Sequence, residues 1–543
     1  MTTRTRTDAL LLAGFCAFLF FYGLHQFGLI GADEPRYAQV ASEMLERRDW
    51  ILPTLGGQPW LEKPPLYYWQ AALAYSIFGV SDWSARLPSA LDATLLVLAI
   101  YFFLRRFRAG SELDGALMTA SSAAIVGYAR AASMDMALAA TFTMSMLCWW
   151  GWRESRQKVY LGAFYAFLAL GTLAKGPIAP FLALLVILLF SLLSREPHLL
   201  RKTFWLPGMI SFCLIALPWY LAVQARAPQF FHEFILEHNL GRFSRNLYHH
   251  TEPFWYYLPV IVLGLVPWIV FIATSLSQTW LEWFTFAGRK GTEVDSEICF
   301  RLFASVWLIV PVVFFSLSQS KLPGYILPAV PAGCLLLAEF LRQHLKAKPE
   351  DRPSSPLVAL HALIAAAPIV PALLLSYILT QHRMPGGQPM LVALAVAFVL
   401  CAAIALTLVR PGGLRLLRFV TLIPVVLTIG TVLKLSSSTL DEELSARPLA
   451  QELAAIDTHR LPLAVYHVRR ELEYGLTFYR NQLTLNYDWG RVPGQEHLLV
   501  ASENSQVEIA RIAPGRRVSY LGHSAAQHVD YFWIAAAPAS PTK

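Results

Sequence analysis

The chain has 543 residues, 56% of them hydrophobic and only 15% charged. A soluble domain carries roughly 25% charged residues, so this composition excludes an ordinary soluble enzyme. The formal net charge of +8 sits largely in short loops between apolar runs, which points to membrane topology and away from a nucleic-acid partner.

The first apolar run, 9–30, follows Met-Thr-Thr-Arg-Thr-Arg-Thr and is too long for a signal-peptide core, so it predicts an uncleaved spanning helix. Twelve further segments have the apolar character of bilayer spans: 88–104, 115–131, 136–152, 159–174, 177–193, 204–222, 255–275, 301–317, 325–341, 357–380, 390–409 and 418–436. With thirteen spans, the Arg and Lys clusters after spans two, four, six, eight, ten and twelve share one side with Arg4 and Arg6. The positive-inside rule makes that side cytoplasmic. The long connections 31–87 and 223–254, and the chain after 436, then lie outside. No internal repeat supports an inverted-repeat transporter. The six cysteines, Cys16, Cys148, Cys213, Cys299, Cys334 and Cys401, fall in or beside apolar runs without a CxxC pair, which suits buried small side chains.

On the 31–87 loop, Tyr37, Val40, Met44 and Leu45 recur at helical spacing after Pro35, predicting an amphipathic helix along the interface. Tyr67, Tyr68 and Trp69 read as an interfacial aromatic belt. After residue 437 polar residues return, and short β-type runs at Leu463–Val468, His497–Ala501 and Val518–Leu521 predict a compact α/β unit. The expected division is therefore a transmembrane unit, 1–436, and a soluble unit, 437–543.

Charge is scarce, yet Asp33, Glu34, Arg36, Glu62 and Lys63 gather within about thirty residues of the first span. Charges near a bilayer are costly unless paired, solvated or in use. Asp33 before Glu34-Pro35 suits either a catalytic carboxylate or a helix cap. Arg36 and Lys63 suit a phosphate clamp, or ion pairs with Glu34 or Glu62. Three short turns on the outer side also carry basic residues: Arg130 near Asp135, Lys175, and Lys321 near Tyr325. This runs against the positive-inside bias and argues for a shared anionic ligand at one face. The polar loop 232–250 is rich in His and Glu but lacks HExxH spacing.

Asp-Glu-Pro-Arg-Tyr-Ala, Glu-Lys-Pro-Pro-Leu-Tyr-Tyr-Trp, Leu-Ala-Lys-Gly-Pro, Glu-His-Asn-Leu-Gly-Arg-Phe and Ser-Lys-Leu-Pro-Gly-Tyr-Ile-Leu-Pro together resemble the bacterial 4-amino-4-deoxy-L-arabinose lipid A transferase family. The resemblance runs over roughly the first 330 residues. It implies an all-α polytopic membrane protein of GT-C type, related in fold to protein O-mannosyltransferases, with a small C-terminal α/β periplasmic domain. It also implies an inner-membrane enzyme that takes a sugar from a polyprenyl-phosphate donor to lipid A or another periplasmic acceptor. Asp33 would be its catalytic carboxylate and Asp135 a second acidic site. Arg36, Lys63 and Tyr325 would hold the donor phosphate. Lys175 would line the cavity, with Glu34, Tyr37, Arg130 and Lys321 near it. Glu62 and His238 match positions able to share a divalent metal ion. Transfer to protein Ser/Thr or to another glycan is the alternative within enzymes, and a lipid or solute transporter the alternative outside them.

Overall fold

The computed structural model describes residues 3–234, 252–287, 296–347, 353–381, 386–457 and 459–537. Twelve of the thirteen predicted apolar segments fall on a helix or on consecutive helices, while the first, 9–30, is helical only as far as Phe21 and turns after it. The first nine helices are α1 (Thr3–Cys16), α2 (Asp33–Arg47), α3 (Leu66–Phe78), α4 (Asp82–Phe107), α5 (Glu112–Ser121), α6 (Ala123–Ala129), α7 (Met134–Ser155), α8 (Lys158–Lys175) and α9 (Ile178–Leu193). Among the described residues seven helices are long and apolar enough to cross a bilayer, or eight if one bent pair counts as a span. The chain is a multi-pass membrane protein.

Two predicted spans are broken. The 115–131 segment divides at Ser122, whose backbone is extended at φ −66° and ψ 133°. The amide of Ala123 there donates to the Val266 carbonyl at 2.9 Å. The 255–275 segment turns by 114° between Tyr257–Gly264 and Ile269–Thr285. Hydropathy misses both because a kink removes no apolar residues.

α4 starts six residues earlier than its apolar run. The Ser81 hydroxyl accepts from the Ser84 amide at 3.2 Å, and the Ser84 hydroxyl accepts from the Ser81 amide at 3.0 Å. This reciprocal cap satisfies two donors at the helix start. It also carries Asp82 and Arg86 into the protein, where both are buried against partners.

The helix after Gly31 forms as predicted, and its apolar face packs on protein. Tyr37, Val40 and Met44 are buried in a cluster with Tyr67, Tyr68 and Phe478, between α3 and the Arg470–Arg480 helix. Tyr67 and Tyr68 form no interfacial belt. They are 1% and 0% exposed, and the Tyr67 hydroxyl donates to the Ala85 carbonyl at 2.9 Å. The apolar face seen in the sequence is covered by protein; periodicity reports a face, not what covers it.

In the loop after α2, β1 (Thr54–Leu55) and β2 (Gln58–Pro59) make a small hairpin. The C-terminal sheet comprises β3 (Leu463–Tyr466), β4 (Thr484–Asn486), β5 (His497–Ser502), β6 (Val518–Ser524) and β7 (Val529–Ile534), in the order β4-β3-β5-β7-β6. β4, β3 and β5 are parallel, while β7 and β6 close the sheet antiparallel. Pattern reading missed β4, which is too short to alternate, and β7.

The sheet region is tied down to the membrane helices. Arg447 donates to Asp82 at 2.8 Å, to Asp441 at 2.7 Å and to the carbonyls of His25 and Gln26. The Leu29 amide donates to the Tyr479 hydroxyl at 2.7 Å, and that hydroxyl donates to Asp82. Gly28 is required at this seam, since a Cβ there would lie 2.2 Å from the Ser445 hydroxyl oxygen.

Candidate active site

Gly31 turns the chain at φ +68°, and α2 begins at Asp33 with Ala32 at the cap position making no side-chain bond. Asp33 therefore does not cap the helix. Its carboxylate is 53% exposed and pairs with Arg36 one turn along. Glu34, its neighbour, does the opposite. Its oxygens accept from Arg86 Nη2 at 2.6 Å and Nε at 3.2 Å, from the Ile30 amide at 2.8 Å and from the Ala132 amide at 2.7 Å. Arg86 is 1% exposed, so the pair is a buried pin between the chain after the first span, α2, α4 and the α6–α7 turn. One of two adjacent carboxylates faces the cavity and the other holds the frame.

Arg36 pairs with Asp33 and not with Glu34. Its guanidinium lies 5.1 Å from the ring centres of Tyr37 and Trp60 and 5.8 Å from that of Tyr474. Among the described residues its buried Nε has no hydrogen-bond partner. Burial opposes the charge on Arg36, but Tyr37, Asp33 and Glu62 outweigh it and raise the pKa above the ordinary value. The result is a fixed cation with donor capacity to spare.

A second ion pair comes from helix ends. The Ser133 hydroxyl accepts from the Asp135 amide at 3.3 Å and starts α7, while Lys175 ends α8. The Lys175 ammonium donates to Asp135 and stands 4.8 Å from the ring centre of Tyr325. Tyr325 lies in the tight turn Pro323–Ala329. The glycine before it has a steric reason: a Cβ on Gly324 would lie 2.6 Å from Asp135 Oδ1 and 2.8 Å from the Tyr128 hydroxyl.

Both pairs open on one cavity of about 1090 Å³, which Glu34, Tyr37, Glu62, Lys63 and Tyr325 also line. A separate hollow of about 340 Å³ between α8, α9 and the Leu206–Arg226 helix has no charged lining residue, so polar chemistry belongs to the larger one. Two residues expected at the cavity do not line it. Arg130 donates to the carbonyls of Leu19 and Tyr22, at the end of the first span. Lys321 is 6% exposed and donates to the carbonyls of Ser318 and Glu252. Both hold loop backbone, a role that sequence cannot separate from ligand binding.

His238 lies outside the described residues. Among the described residues no three His, Cys, Asp or Glu side chains come together as a metal-binding group. The cavity also has a wall that sequence reading did not find. Trp60, Arg470, Glu473, Tyr474, Trp489 and Arg491 line it, five of them from the C-terminal region. Glu473 accepts from Asn486 Nδ2 at 3.0 Å. Burial pushes its carboxyl above the ordinary range, and Asp488 adds to the effect. The Arg469-Arg470-Glu471 run was the available signal, but in a polar segment it looks like solvated surface.

Residues 8–234 match the family model of dolichyl-phosphate-mannose-protein mannosyltransferases. An undecaprenyl phosphate-alpha-4-amino-4-deoxy-L-arabinose arabinosyl transferase of Pseudomonas aeruginosa (strain UCBPP-PA14) is 33% identical over 350 residues, 63% of this chain; the match spans 61% of that relative's length. The transferase of the same description from Aeromonas salmonicida is 30% identical over 495 residues, 85% of this chain and 87% of its own. The chain belongs to this arabinosyl transferase family. The fold of this family member agrees with ArnT from Cupriavidus metallidurans, solved bound to undecaprenyl phosphate: TM-score 0.78, 22% identity, 98% of this chain and 99% of that one. The motif resemblance and the GT-C-type fold are thus both borne out.

Proposed function

We propose that this chain is an inner-membrane glycosyltransferase that moves 4-amino-4-deoxy-L-arabinose from undecaprenyl phosphate to a phosphate of lipid A, with inversion at the sugar carbon. The observation that carries this reading is the convergence of Asp33–Arg36 and Asp135–Lys175, with Lys63 and Tyr325, on one large cavity. The names of the relatives and the carrier lipid bound by the Cupriavidus enzyme support the choice of donor.

In this reading the bond between the sugar carbon and the carrier phosphate breaks, and its electron pair stays on the phosphate. Arg36 and Lys63 stabilise the charge that collects there, with Tyr325 and Lys175 beside it. An acceptor phosphate oxygen attacks from the opposite face. The second pKa of a phosphate monoester is about 6, so the nucleophile is already ionised at neutral pH and has no proton to lose. Asp33 then need not be a strong base. It orients the acceptor and stabilises the positive charge on the sugar. Asp135 fixes Lys175 by their ion pair.

The positive-inside pattern supports a cytoplasmic N-terminus and a periplasmic cavity. On that orientation the transmembrane unit is 1–436 and the soluble unit, 437–543, lies in the periplasm over the cavity. The test is mass spectrometry of lipid A from cells with the chain, without it, and with Asp33→Asn. An aminoarabinose increment that requires Asp33 is the expected result. Unchanged lipid A in a host that makes the donor would refute the assignment of donor and acceptor.

A further inference from the structure

A transferase must hold two substrates, and the cavity has two differently built ends. The first, described above, comes from membrane helices and their loops. The second comes from the C-terminal region: Arg470 opens the Arg470–Arg480 helix, and Trp489 and Arg491 follow β4.

This second end is a formed surface. The Asn486 side chain accepts from the Asp488 amide at 2.8 Å, and the Asn486 carbonyl accepts from the Arg491 amide at 3.2 Å. Gly490, at φ +71°, closes the turn between them. The turn leaves the Trp489 indole 71% exposed at the cavity rim. Among the described residues that ring stacks on no other, and the Arg470 and Arg491 guanidinium groups make no hydrogen bond. An exposed indole costs apolar hydration. Arg470 and Arg491 line the same cavity and act electrostatically on Glu473, yet their guanidinium donors stay open, so the surface suits a ring that carries an anionic group.

The two ends meet at Tyr474. It sits beside Glu473 on the Arg470–Arg480 helix, and its ring centre is 5.8 Å from the Arg36 guanidinium. A ligand on the Trp489 rim therefore shares the cavity with whatever Arg36 holds.

We propose that Arg470, Trp489 and Arg491 form the acceptor subsite, and that its ligand is a phosphorylated sugar headgroup. The indole packs on the C–H face of the sugar, and the guanidinium groups take the phosphate as bidentate donors. The C-terminal unit is then the acceptor-reading half of the active site, an assignment that rests on the transferase reading above.

The test uses the full chain in nanodiscs, with the lipid-linked donor held fixed and purified lipid A titrated. Trp489→Ala and the double change Arg470→Ala/Arg491→Ala should each raise the acceptor KM about tenfold, the loss expected for one charge-assisted or stacking contact. Undecaprenyl phosphate affinity should stay within about twofold. Trp489→Phe should recover most of the loss and Trp489→Leu should not, because only a flat ring can stack. High exposure makes misfolding a poor explanation for any of these changes. An active wild type whose acceptor KM ignores Trp489→Ala, Trp489→Leu and the double change would overturn the subsite alone, as would donor affinity falling in step. A wild type inactive on lipid A would overturn the transferase reading, and the subsite with it.

Discussion

Asp33 and Glu34 are adjacent carboxylates for which the structure requires opposite mutant phenotypes. Asp33 is 53% exposed, so its ion pair with Arg36, itself 16% exposed, has its carboxylate end in solvent, and Arg36 keeps its contacts with the rings of Tyr37, Trp60 and Tyr474. Exposed pairs contribute about 0–1 kcal/mol, and no helix-capping bond would be lost. Asp33→Asn should therefore leave thermal stability in detergent close to wild type while abolishing transfer. Glu34 is 8% exposed, pairs with Arg86 at 1%, and accepts two backbone amide bonds besides. Glu34→Ala would strand the Arg86 charge in the interior, at a cost of about 3–5 kcal/mol. The carbonyls of Leu24, Phe27 and Gly28, which Arg86 also reaches, offset little of this because they carry no formal charge. Intrinsic-fluorescence melting of both variants beside wild type, followed by a transfer assay on the folded fraction, separates the two cases. If Asp33→Asn melts as early as Glu34→Ala, the division between reacting and anchoring carboxylate is wrong. Full activity in Asp33→Asn would be equally damaging.

Gly324→Ala should lower transfer at least tenfold, the rate cost of about 1.4 kcal/mol, because its methyl would push on Asp135 and Tyr128; undiminished kcat/KM would show that Asp135 moves freely. Glu473 gives a pH signature. Its folded-state pKa is raised, so the native state binds more protons than the unfolded chain as pH climbs through the carboxylate range, and stability falls across that window. Glu473→Gln should accordingly be neutral at acid pH and stabilising at neutral pH; a melting difference that does not grow with pH would refute this. Cysteines placed at 245 and 346 in a cysteine-free background should label from the periplasm and the cytoplasm respectively, and the reverse pattern would invert the topology.

The thirteen apolar segments, the helix after Gly31 and the β-character of 463–468, 497–501 and 518–521 could be read directly from the chain. Each is a local property: a run of apolar residues, a turn-forming glycine, a short alternation. Asp33, Arg36, Lys63, Asp135, Lys175 and Tyr325 were legible for a related reason, since charged and hydroxyl groups beside apolar spans are rare enough to stand out, and all six line one cavity. Sequence could not separate Glu34 from Asp33, or tell that Arg130 and Lys321 hold backbone carbonyls. Those distinctions depend on which distant atoms lie within hydrogen-bond reach.

The clearest limit is at the C-terminal wall. Arg470, Tyr474 and Trp489 lie more than four hundred positions from Asp33, in a segment whose polarity suggests only solvated surface. Arg447 and Tyr479 dock that segment on Asp82 and on the chain after the first span, and docking turns surface residues into cavity lining. Composition and periodicity determined the membrane class, the spans and the charged end of the site, because these follow from how each stretch partitions between water and lipid. Tertiary structure alone decided which charges are pinned, which remain open and what closes the cavity, because these are set by contacts between segments that local pattern does not encode.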